Sequence, residues 1–267
     1  MVSTVSAIAA SILYTASALI RSRERPGQPG RVALVSLLAA VAVTLHAVTA
    51  AQMVIRDTGI DLSLWPVSVL IFFVVNLVVL LSSIRIPVQS LFVLLFPASA
   101  VVLLLSVWAG EPAAPAEHLS WGLGLHVTFS LLAYSLFTIA AGQALMLAYQ
   151  DYRLKNHHPG GFLKGLPPLQ TMEALLFDVL WAGFTLLTLG LITGFAFVDN
   201  IWAQHLAHKT FFSMVGWVLF AILLVGRHRL GWRGHTAIRW TLGGFVALAV
   251  AFWGSKFVLQ VLLGIDS

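Results

Sequence analysis

Eight long apolar runs, separated by short charged gaps, set what this sequence can fold into. They fall at about 2–20, 32–55, 64–84, 87–108, 122–149, 174–198, 210–226 and 237–263. A helix crosses a hydrocarbon core of roughly 30 Å with about 20 mainly apolar residues, so each run is long enough to span. Inside lipid every backbone N–H and C=O must be bonded within the protein, which leaves helices or a closed barrel. The alternating pattern of a membrane barrel is absent. The sequence therefore predicts an all-α fold: a polytopic membrane helix bundle with eight transmembrane helices, forming a single membrane domain over 1–267. The first run has no basic residue ahead of it and no small-residue cleavage site leading into a polar domain. It is expected to be a retained span rather than a removed signal peptide.

Composition agrees with this reading and excludes the soluble alternatives. Of the 267 residues, 59% are hydrophobic and 9% charged, against about 25% charged in soluble domains. With a mean hydropathy of +0.94, too few polar side chains exist to cover a water-facing surface. The pI of about 10.0 resembles that of a nucleic-acid binder. The 15 Lys and Arg, however, sit in the gaps between apolar runs rather than in a patch, so no nucleic-acid partner is expected. Cysteine is absent, which removes disulfides, zinc–thiolate sites and iron–sulfur clusters.

Loop charge predicts an orientation. Arg21, Arg23, Arg25, Arg31, Arg85, Arg153, Lys155, Lys164, Arg227, Arg229, Arg233 and Arg239 fall on one side, and only Arg56, Lys209 and Lys256 on the other. This asymmetry places the first side in the cytoplasm and both termini outside, in the periplasm. Trp65, Trp108, Trp121 and Trp202 then lie near the outer interface and Trp232 and Trp240 near the inner one, as anchoring tryptophans do. The longest connection, 151–172, carries Gly160-Gly161 and Pro167-Pro168. These residues are expected to end the fifth helix and to delay the sixth until Thr171 caps it.

Ionisable groups inside a span are costly, so they form the functional shortlist. His46 lies about two-thirds across the second span and His126 one turn inside the outer end of the fifth. Asp178 lies one turn into the sixth, and Lys256 in the outer third of the eighth. His205 and His208, three residues apart, precede the seventh span and share a face if that stretch is helical. Imidazole suits haem iron. His46 and His126 from separate helices are candidate axial ligands, with Lys209 and Lys256 as counter-charges for propionates. The bland alternative is that each histidine makes one interhelical hydrogen bond and binds nothing.

The run Gly124-Leu125-His126-Val127-Thr128-Phe129-Ser130-Leu131-Leu132-Ala133-Tyr134 resembles the cytochrome c assembly protein family, the CcsA/CcmC-type haem-handling membrane proteins. The likeness continues through Gln143, Tyr149 and Asp151-Tyr152-Arg153-Leu154-Lys155. It resumes at Pro167-Pro168-Leu169 and Glu173, and again at Trp217 with Gly231-Trp232-Arg233-Gly234. Length and span count are similar to a YpjD-like branch of inner-membrane proteins. The resemblance implies a bacterial inner-membrane location, a haem cofactor and a second membrane or periplasmic protein of cytochrome assembly as partner. It matches His126 to an outer haem ligand. The family's tryptophan-rich segment before Trp217 is degenerate here: Ile201–Phe212 keeps only Lys209 in register, with Ala207 in place of the acid and Phe212 in place of a tryptophan. A later transmembrane histidine is replaced by Val225.

Three functions of different class remain open on sequence. One is a haem-binding, haem-handling protein with a binding and delivery role rather than catalysis. Another is a transporter or accessory subunit, for example for a divalent cation. The last is a ligand-free structural partner in the membrane.

Overall fold

The computed structural model describes residues 2–23, 29–57, 59–109, 120–156, 166–197 and 204–254, with side chains excepted at 2, 29–30 and 204–207. Among these, eight helices are long and apolar enough to cross a membrane. They are α1 (Val2–Ser22), α2 (Pro29–Val54), α3 (Leu64–Ser82), α4 (Phe92–Trp108), α5 (Trp121–Lys155), α6 (Leu169–Phe197), α7 (Gln204–Leu230) and α8 (His235–Ala249). The eight-helix expectation holds; several boundaries shift. Helix α5 runs to Lys155 because its polar end continues into water, where Lys155 pairs with Asp151 one turn back at 2.8 Å. Helix α6 begins at Leu169, directly after Pro167-Pro168, so Thr171 lies inside the first turn instead of capping it. Proline is tolerated there because the first N–H groups of a helix have no intrahelical acceptor to lose. Helix α7 extends beyond the expected 210–226 at both ends. Helix α8 passes at Val250–Gly254 into a π-helical turn, and residues beyond 254 lie outside the description.

Contacts divide the chain into two compact units. One draws on Met1–Glu117 and Tyr149–Leu169, the other on His118–Ala148 and Gln170–Ser267. In the first, α1 packs on both α2 and α4, and α3 joins α2 and α4 from the other side. Fully buried Ala7, Ala10, Ala39 and Ala42 line α1 and α2, so small side chains bring two membrane helices close. Between α2 and α3 a short hairpin pairs β1 (Ile55–Arg56) with β2 (Gly59–Ile60). Buried Asp61 ties it down: its N–H donates to the Val54 carbonyl, its Oδ1 accepts from the Ser63 N–H, and Arg56 lies 3.6 Å from Oδ2.

The second unit is held by aromatic stacking and close helix approach. Phe137 of α5 stacks on Phe220 of α7 with centroids 3.9 Å apart, and Phe184 of α6 stacks on Trp217 of α7 at 5.3 Å. The indole N–H of Trp217 donates to Thr188 Oγ1 at 2.9 Å. At the α7–α8 reversal, Gly231 and Gly234 have φ of 67° and 54°. That left-handed region costs any side chain with a Cβ and so favours glycine.

Candidate functional site

His46 sits wholly buried in α2. Its Nε2 lies 3.0 Å from the Val69 carbonyl of α3. A carbonyl only accepts, so Nε2 carries the proton. Nδ1 is then the lone-pair nitrogen and accepts from the Tyr14 hydroxyl of α1 at 3.1 Å. The Tyr14 and Phe73 rings meet the imidazole edge to face, and Phe96 of α4 packs on Tyr14. Both ring nitrogens are thus bonded to groups of the first unit, and iron ligation at either would cost one of those bonds. Alongside, Asn76 of α3 donates from Nδ2 to Ser99 of α4 at 2.7 Å. The Asn76 Oδ1 is buried with no hydrogen-bond partner.

His126 is arranged differently. It occupies the second turn of α5, half-buried, and its Nδ1 lies 2.8 Å from the Gly190 carbonyl of α6. Nδ1 therefore carries the proton, and the lone pair is on Nε2. This is the tautomer in which a histidine ligates iron, with its other ring nitrogen fixed by a carbonyl. The seat for the ring is cut by Gly194: a Cβ there would stand 2.9 Å from His126 Cε1 and Nδ1. Gly194→Ala is accordingly expected to displace the ring and lower unfolding stability by about 1–2 kcal/mol. Gly124→Ala, whose added Cβ meets nothing within 4 Å, is expected to be neutral or slightly stabilising. Thermal unfolding in detergent compares the two.

Two turns along α5 from His126, Tyr134 is surrounded by Phe245, Phe252 and Trp253, with centroids 5.7–5.9 Å away. Its hydroxyl is buried and has no hydrogen-bond partner. The adjoining π-helical turn of α8 is a distortion often found where a helix serves a site. Tyr134 carried no sequence signal beyond its membership of the run around His126.

Of the other sequence candidates, His208 is exposed and Lys209 half-buried near the start of α7. The His205 side chain and Lys256 lie outside the described residues. Asp178 is ten residues into α6 rather than one turn in, because the helix starts earlier than expected. No group of three or more metal-ligating side chains converges among the described residues.

The resemblance left Glu173 and the Gly231–Gly234 turn without a role, and here they meet. Glu173 Oε1 accepts from Arg227 Nη1 at 2.7 Å and lies 3.6 Å from Arg233 Nε, while Oε2 accepts from the Gly234 N–H at 3.3 Å. Arg227 also donates to the Trp232 carbonyl, and its guanidinium lies over the Phe177 ring at 4.5 Å. Trp232 in turn packs on Trp240 and over Gly226. A lone acid at a helix start and a glycine-bracketed turn 60 residues on are each unremarkable in sequence, so only their meeting discloses the clasp.

Comparison with known proteins decides the lineage. The cytochrome C assembly protein family matches residues 34–263. The chain belongs to the cytochrome c assembly protein family. Among relatives of this family member, the inner membrane protein YpjD of Escherichia coli (strain K12) is 30% identical over 234 residues, 87% of this chain and 88% of its own length. An uncharacterized 28.8 kDa protein of Azospirillum brasilense is 34% identical over 53% of each chain. The cytochrome c biogenesis protein CcsA of Chlamydomonas reinhardtii is 26% identical over 55% of this chain and 41% of its own. No solved structure matches. This member of the cytochrome c assembly family is therefore a multi-pass bacterial inner-membrane protein related to cytochrome c biogenesis.

Proposed function

We propose that this protein binds haem in its second unit, where His126 Nε2 would hold the iron, and hands the haem on within cytochrome c biogenesis. One observation carries the reading: His126 Nδ1–H donates to the Gly190 carbonyl, which leaves the lone pair on Nε2 available to iron. Two turns further along α5, an aromatic cluster adds surface that suits a macrocycle. Tyr134 offers a buried, unbonded hydroxyl among three aromatic rings, and flat aromatic walls favour a flat apolar ligand.

In this reading the chain's own work is to fix the imidazole tautomer through Gly190, keep the ring in place against Gly194, and exclude water with apolar helices. The haem, when bound, supplies the redox-active iron. His205 or His208 would be the second residue to hold the iron, and Lys209 and Lys256 would neutralise the propionates. His46 keeps the first unit together. The thioether-forming cysteines come from a partner, because this chain has none. Both termini face the periplasm, as the loop charges imply.

The test is an absorption spectrum of detergent-purified protein, oxidised and then reduced with dithionite. A Soret band is expected in the native chain and in Tyr14→Phe. It should be absent in His126→Gly and restored there by added imidazole. A native chain that purifies without haem and takes up none when haem is added ends the proposal.

A further inference from the structure

Helix α6 carries an exposed carboxylate where a membrane helix should have none. Asp178 makes no hydrogen bond or ion pair among the described residues and is exposed on its helix. Its depth follows from the clasp. Glu173 is bonded to Arg227 and to the Gly234 N–H, which marks the basic end of the unit. Asp178 is five residues further along α6, about 7.5 Å deeper at the helical rise. An ion there is strongly disfavoured in hydrocarbon, and an aspartate stem is too short to return to water.

Helix α8 holds the complement. Its N-cap, Gly234, is level with Glu173 through the 3.3 Å bond between them, and α6 and α8 both run inward from that end. Arg239 is five residues beyond Gly234, so it reaches the same depth as Asp178. It too is exposed and has no partner among the described residues. The two arginines of the clasp are already engaged: Arg227 and Arg233 both serve Glu173.

We propose that copies of this chain associate in the membrane, with Asp178 on α6 of one copy paired to Arg239 on α8 of the next. Copies in one membrane are related by rotation about its normal, which preserves depth, so two groups at equal depth on different helices meet across such an interface. Removed from water, the pair is worth more than a surface ion pair. The flanking residues allow close approach. Ala174 and Ala182 lie one turn either side of Asp178, and Gly243 lies one turn beyond Arg239; all three are exposed. The proposal does not rest on haem binding.

The natural absence of cysteine makes the test direct. Two differently tagged copies, one Asp178→Cys and one Arg239→Cys, are co-expressed, and membranes are oxidised. A disulfide-linked species bearing both tags is expected, with a control pair at Val101 and Val246 giving none. Association of labelled native copies in vesicles is then followed by energy transfer. Asp178→Asn and Arg239→Gln should each weaken it at least tenfold, and the exchange of Asp178→Arg with Arg239→Asp should restore it. Thermal unfolding confirms that each variant is folded. A single chain carrying both cysteines that closes only on itself, a native chain that shows no transfer at any density, or single variants that associate undiminished each overturn the proposal.

Discussion

Replacing His46 with alanine is expected to destabilise the first unit by about 3–4 kcal/mol while leaving haem absorption intact. Two losses combine. The imidazole is fully buried, so its removal leaves a cavity beside Tyr14 and Phe73, costing about 2–3 kcal/mol. Its two hydrogen bonds, to Val69 O and Tyr14 Oη, add about 0.6 kcal/mol each on the scale of membrane interhelical bonds. Tyr14→Phe keeps the packing and removes one bond, so its effect should be about 1 kcal/mol or less. The measurement is thermal unfolding of purified protein followed by circular dichroism, paired with the absorption spectrum. If His46→Ala instead abolished haem absorption with an unchanged unfolding midpoint, His46 would be an iron ligand and its structural role secondary.

The second large effect belongs to Glu173. Its carboxylate joins the starts of α6 and α8 to the end of α7 through Arg227 and the Gly234 N–H. The side chains are only partly exposed, 15% for Glu173 and 24% for Arg227. Removing the acid therefore leaves a guanidinium with one carbonyl partner in a poorly solvated place. Glu173→Ala should lower stability by about 2–3 kcal/mol. Glu173→Gln, which can still accept one bond, should cost roughly half. Arg233→Ala should cost little, because that side chain is 71% exposed at 3.6 Å and such pairs contribute about 0–1 kcal/mol. Equal effects of Arg233→Ala and Glu173→Ala in the same unfolding assay would remove Arg227 and Gly234 from the account.

How much of the site was legible in the sequence depends on whether the partner was local. His46 and His126 both stood out as ionisable groups in apolar runs, and both are indeed half-buried or buried at helix–helix contacts. Their difference was invisible, because it depends on acceptors 23 and 64 residues away, Val69 and Gly190. The same holds for Glu173 and Gly234, 61 residues apart. Asp178 was visible as a charge, but its exposure and its level with Arg239 required the placement of two helices.

That the chain forms eight membrane helices could be read directly from its residues. Apolar length and the need to bond every backbone group inside lipid are properties of each segment alone. The sequence also ruled out thiol chemistry and identified the family through the run around His126. Which polar groups are bonded, which tautomer each imidazole holds, and which charges among the described residues have no partner emerge only once the helices are packed. Those outcomes follow from atoms on different helices approaching within about 3 Å, a relation that no single segment encodes.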